Sequence, residues 1–241
     1  MGCTTVRRWR PVLVAACAAC LWVSNAQAQL GPANCGPIEN AFGPFDYRTV
    51  RGTQLRLVEG AHFTSSVEML IKGKSGYIGG DLDYTLRAFP NHHRALLSMM
   101  RYGERLKVPK VPGARYEVEC YFVRAVTFQP DDVVARMLFA QYLLSAKRRD
   151  EALRQLAACQ PLAQDNPFTH YNLGLSYVEA EQYDQALKHA HTAISLGFPR
   201  TELREKLQAK GQWKEPEVPD APASASARQD AAPSPASASA P

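Results

Sequence analysis

The 34 residues from Asp131, DDVVARMLFAQYLLSAKRRDEALRQLAACQPLAQ, lie over the next 34, DNPFTHYNLGLSYVEAEQYDQALKHAHTAISLGF, without a gap. Phe139 falls on Leu173, Ala140 on Gly174, Leu143 on Tyr177, Ala152 on Ala186, Leu156 on Ala190 and Cys159 on Ala193. A fixed period of this length marks a supersecondary unit that cannot bury its apolar face alone and does so against the next copy.

The motif positions as well as the spacing resemble the tetratricopeptide repeat family. YNLGLSYVEAEQYDQALKHAHTAI and MLFAQYLLSAKRRDEALRQLAAC each carry a small residue midway along the first helix, an aromatic or Leu three later, and Ala in the second helix. The resemblance implies an all-α chain with two helices per copy, wound into a right-handed superhelix of antiparallel helix pairs, about three repeats over residues 64–213 with a capping helix at the end. Ala140 or Gly174 in the first helix, opposite Ala152 or Ala186 in the second, lets the two helices approach closely while larger residues fill the gaps around them. In that family the first helices line the concave face. Its positions fall here on Arg94, Leu97 and Arg101, on Val134, Met137, Gln141 and Leu144, and on Phe168, Tyr171, Leu175 and Val178. This surface is mainly apolar, with arginines at one end, and lacks the Lys/Asn clamp of relatives that hold chaperone C-termini. The resemblance thus implies a non-catalytic scaffold for a protein or peptide partner with apolar anchors and an acidic end. Exported bacterial members serve envelope assembly, in pilus, secretion or cell-wall machinery. A second occupant stays open: the chain's own N-terminal arm could fill the groove.

Reading backwards, FQPDDVVA places Pro130 at the end of a repeat, and AFPNHHRALLSMM repeats the idea 40 residues earlier, with Pro90 for Pro130 and Ala95 for Ala135. The six extra residues fall in KVPKVPGA, a proline-rich loop. A further half-repeat spans SSVEMLIKG and DLDYTLRAF. In GGDLDYTLRAFPNHHRAL, Asp81 is predicted as a helix N-cap, Leu82, Leu86 and Phe89 as a buried stripe, and His92 and His93 as the start of the next helix. After the last repeat, FPRTELREKLQAKGQW offers Thr201 as N-cap, Glu202 and Glu205 in the first turn and Gly211 as a stop, which is the closing helix that a repeat array needs. Trp213 is expected to pack back onto it.

Both ends read differently. Arg7, Arg8 and Arg10 precede the apolar run PVLVAACAACLWV and then SNAQAQ, where Ala26 and Ala28 suit signal peptidase, so residues 1–28 are predicted to be a secretory signal and the protein periplasmic. The run is too short for a bilayer span, which needs roughly 20 residues; lipidation at Cys17 is the minor alternative. Losing those three arginines takes the formal charge from +5 to +2, which argues against a nucleic-acid partner. Residues 214–241 are mostly Pro, Ala and Ser with a few charges, Val218 being the sole large apolar side chain, and are predicted to be a disordered tail. Residues 29–63, rich in Gly, Pro and aromatics without helical period, are predicted to be an irregular arm laid over the array. Of the three cysteines beyond the signal, Cys35 is expected to pin this arm through a disulfide to Cys120, leaving Cys159 a reduced core residue.

No nucleophile elbow, HExxH or paired-cysteine zinc pattern occurs, and GKSGYIGGD lacks the GK[ST] close of a phosphate loop. No cofactor is expected. A reading from a different class is a small hydrolase or metal-binding module over residues 62–93, built on His62, Asp81, Asp83 and His92. Against it, adjacent His92 and His93 on a helix point about 100° apart and rarely share an ion.

Overall fold

The structure is a computed structural model that describes residues 1–2, 35–74 and 76–216. The predicted signal, Cys17 and the tail from residue 217 lie outside the described residues. Among the described residues there are ten helices and no strand: α1 Thr53–His62, α2 Ser65–Glu68, α3 Ile78–Ala88, α4 His93–Leu106, α5 Val118–Phe128, α6 Val133–Ser145, α7 Arg149–Ala163, α8 Pro167–Glu179, α9 Tyr183–Ser195 and α10 Glu202–Ala209. Consecutive helices pack as pairs, α6 with α7 and α8 with α9, and α4, α6 and α8 lie side by side.

The repeat is written into the backbone. His92, Asp132 and Asn166 each cap a first helix, accepting the N–H of Ala95 at 3.1 Å, Ala135 at 3.0 Å and Thr169 at 3.0 Å. Lys147 and Glu181, 34 apart, both take positive φ, at 61° and 55°, where α6 and α8 turn into their partners. Every overlaid pair named above is buried. Phe122 of α5 stacks on Phe139 and Tyr142 of α6, with centroids 5.7 and 5.2 Å apart, so the array is continuous from one pair to the next.

Gly174 refines the close-approach argument. A Cβ there would strike the Leu203 side chain of α10, and only then come within 3.4 Å of the Ala186 carbonyl. The missing side chain therefore seats the closing helix as well as the partner helix. Gly174→Leu should cost about 1–3 kcal/mol by overpacking, read as a lower urea midpoint. An unchanged midpoint would mean that α10 is not held by this contact.

The arm follows the second helices. Cys35 and Cys120 of α5 are disulfide-bonded, and one turn along α5 the buried Arg124 guanidinium donates to the carbonyls of Cys35, Gly36 and Pro37. Further on, Phe45 N–H bonds the Ala88 carbonyl at 2.9 Å, Tyr47 N–H the Asn91 Oδ1 at 2.9 Å, and Arg48 reaches Gln129 and Asp131. The arm thus crosses α3, α5 and the turns that end each pair. Two local expectations need correction. Thr53–His62 is helical where the sequence predicts irregular chain; with only Leu55 and Val58 buried, this helix carries too little apolar period to be read. The N-cap of α3 is Tyr77, and Asp81, a residue inside the helix, instead accepts the Lys74 N–H at 2.7 Å.

Candidate functional site

Two first helices leave an open groove of about 280 Å³ between them. From α6 come Val134, Met137, Leu138 and Gln141; from α8 come Phe168, Asn172, Leu175, Ser176 and Glu179. Helix geometry explains the set, since residues three and four apart share a face. The core takes Ala135, Phe139, Ala140 and Leu143 of α6, leaving the opposite stripe for the groove. Phe168 is 57% exposed, a large ring at the groove's edge with Phe198 set edge-on to it at 6.2 Å. Glu179, itself solvent-exposed, is the groove's one acid; partial desolvation by the walls raises its pKa, and nearby Lys206 only partly offsets this.

Of the eleven positions that the family resemblance picked out, Val134, Met137, Gln141, Phe168 and Leu175 line this groove together. The other six do not. Tyr171 is 3% exposed, packed on Phe198 and bonded to Glu202 at 3.1 Å, because α10 closes over that side of α8. Val178 is buried, and Leu144 and Leu97 pack against the core. Arg94 is paired with Glu68 of α2 and lies over the Phe63 ring, while Arg101 stands exposed on α4. Leu138, Asn172, Ser176 and Glu179 were missed; their spacing from Met137 and Phe168 was the available signal. Among the described residues, 35–63 of the arm make contacts with α3, α5 and the inter-pair turns and not with the groove.

The metal reading fails on geometry. Among the described residues no group of three or more His, Cys, Asp or Glu is disposed to hold an ion. His62 meets Asp81 at 3.0 Å, but Asp81 is otherwise held by Lys74 N–H. Asp83, two residues on and facing elsewhere, takes Tyr121 Oη–H at 2.6 Å, Arg87 and Arg115 N–H. His92 gives Nδ1 to its capping bond and Nε2 to Glu59 at 3.2 Å. Each candidate ligand has its own structural partners, so the four do not converge.

Burial holds the His92 pKa down to about 3 and that of His189 to about 4, so both stay neutral. His170 donates Nε2–H to the Gln164 carbonyl at 2.7 Å, so its Nδ1 accepts from His189 Nδ1–H at 2.8 Å. That leaves His189 Nε2 as a buried acceptor without a partner. In an unfolded chain both histidines would take up protons near 6.5. The histidine contribution to folding stability should therefore be flat above pH 7 and fall as pH drops from about 6.5 towards 4, by up to about 1.4 kcal/mol per pH unit for each histidine. Urea unfolding at pH 7.5, 6 and 4.5 tests this, and His189→Leu should reduce the slope; equal slopes would remove His189 as a cause.

Compared with family models, curated proteins and solved structures, the chain shows no match to any.

Proposed function

We propose that the chain is a non-catalytic, exported helical scaffold of tetratricopeptide type that binds an apolar segment of a protein partner, in the class of cell-envelope assembly factors. The observation that carries this reading is the α6–α8 groove. Equivalent faces of two successive first helices present Met137, Leu138, Phe168 and Leu175 to solvent in one concavity, with Gln141, Asn172 and Ser176 available to bond a peptide backbone. The right-handed superhelix and the periplasmic location belong to the same proposal, supported by the 34-residue period, the repeated caps and the predicted signal.

Peptide-display selection on the purified chain tests it. Enriched peptides should carry two or more large apolar anchors and bind at least about tenfold more weakly to Met137→Glu, a substitution that buries a charge against the anchors. Phe168→Ala should also weaken binding, with the fold unchanged because Phe168 is exposed. Peptides that bind both variants as well as the parent would move the site off the groove.

A further inference from the structure

In an array of helix pairs, the turns within pairs gather at one edge and the turns between pairs at the other. The structure ties the first set together: Arg105 Nη1 donates to the Leu70 carbonyl at 2.9 Å, Gly79 abuts Val111 and Pro112, Arg148 bonds Glu119 at 2.6 Å, and Arg149 bonds the Ala180 carbonyl at 2.8 Å. The second set is joined by Arg48 and Asn91 and carries Asp131 and Asp132.

The first edge has an unusual surface over α2–α3 and α4–α5. Met69 and Ile71 are 61% and 66% exposed, Tyr77 is 70% exposed, and Leu106 and Val108 are also uncovered. These are five of the ten large apolar side chains exposed among the described residues, gathered on two adjoining loops. Interleaved with them are Lys72, Lys74, Lys107 and Lys110, all exposed, and none has an ion-pair partner among the described residues. Glu104 and Glu117, exposed at the two ends of the α4–α5 connection, offset two of these charges.

We propose that this edge seats the protein on an anionic lipid bilayer. Apolar chains projecting from loops enter the headgroup boundary, the Tyr77 ring lies across it, and the lysines keep their ammonium groups at the phosphates with their stems in the apolar layer. Each lysine strengthens attachment roughly fivefold on an anionic surface. A flat acidic protein would leave Met69, Ile71 and Tyr77 in water, whereas a bilayer accepts both halves of the surface. The opposite edge, where Arg48 pairs with Asp46 and Asp131 and the arm crosses the turns, faces away from the membrane. This inference stands on loops outside the groove and does not need a peptide partner.

Vesicle sedimentation with the purified full chain tests it, using phosphatidylcholine vesicles with and without phosphatidylglycerol. The expected result is binding to the anionic vesicles, at least about tenfold weaker without phosphatidylglycerol, weakened by salt, and reduced about tenfold or more both by Lys72→Glu with Lys74→Glu and by Met69→Ser with Ile71→Ser. Leu106→Ser with Val108→Ser provides a second apolar pair should the first disturb the α2–α3 loop, and unchanged helical circular dichroism confirms folding. Variants that bind like the parent would overturn the proposal by placing attachment elsewhere in the chain. Loss with the lysine pair but with neither apolar pair would overturn it in favour of an acidic macromolecule, and so would failure of the parent chain to bind.

Discussion

Asp132→Ala should lower folding stability by about 2–4 kcal/mol, the sum of a lost helix cap and of lost hydrogen bonds to a buried carboxylate. Asp132 is 1% exposed and serves three elements at once. It caps α6 through the Ala135 N–H, accepts the Asn91 amide at 2.8 Å and pairs with His93 at 2.8 Å. Burial works against its charge, yet the His93 contact and the capping bond overcome this and leave its pKa lowered. Asn91 also donates to Asp46 and accepts the Tyr47 N–H, so the loss would spread from the turn into the arm. Asp132→Asn, which keeps a capping oxygen and loses the charge, should fall between parent and alanine. Urea unfolding measures the three, and a double-mutant cycle with Asn91→Ala should show coupling above about 0.5 kcal/mol. A cost for Asp132→Ala of cap size alone, about 1 kcal/mol, would mean that the network around it adds nothing.

Replacing Cys35 and Cys120 together by Ala should cost about 2–5 kcal/mol, because the bond closes a loop with a sequence separation of 85. The same change should expose the stretch around Pro37 to limited proteolysis, since Arg124 would then hold that end of the arm alone. Here too burial lowers the arginine's pKa, while the Tyr116 ring, 4.8 Å from its guanidinium, and the three carbonyls support the cation. Arg124→Leu in the cysteine-free background should release the arm further. If the cysteine-free protein matched the parent in both stability and proteolysis, the arm would be held by its turn contacts alone.

The chain's letters disclosed most where structure repeats. The overlay of Phe139 on Leu173 and Ala152 on Ala186 located α6 to α9, because burial at a fixed period leaves a periodic trace. The Cys35 to Cys120 pairing was also legible, from a predicted signal that would take three cysteines with it and a packing position that claimed a fourth. Tyr171 was misplaced because its face is decided by α10, a neighbour that the repeat pattern does not include. Arg94 was assigned to a partner's acid although Glu68, from a helix of four residues, takes it. The α1 helix, with two buried residues, and the arm's course, fixed by backbone carbonyls and turn side chains, leave no local pattern to detect. The basic, apolar edge leaves no trace in the sequence for another reason. Its loops are 30 residues apart in sequence and become one surface only when the helix pairs stack.

The arm also changes the order in which the molecule can be completed. A stack of helix pairs makes mostly near-neighbour contacts and can grow from any point along its length. The arm's partners, in contrast, begin at α3 and at Asn91, 44 residues on, and reach Gln129, Asp131, Cys120 and Arg124, 81 to 89 residues further along the chain. The part of the chain that leaves the ribosome early is therefore among the last to find its place, after α5 and the following turn exist to receive it. Non-local closure of this kind slows folding relative to a plain array, and it makes the first two helix pairs and the arm one cooperative unit.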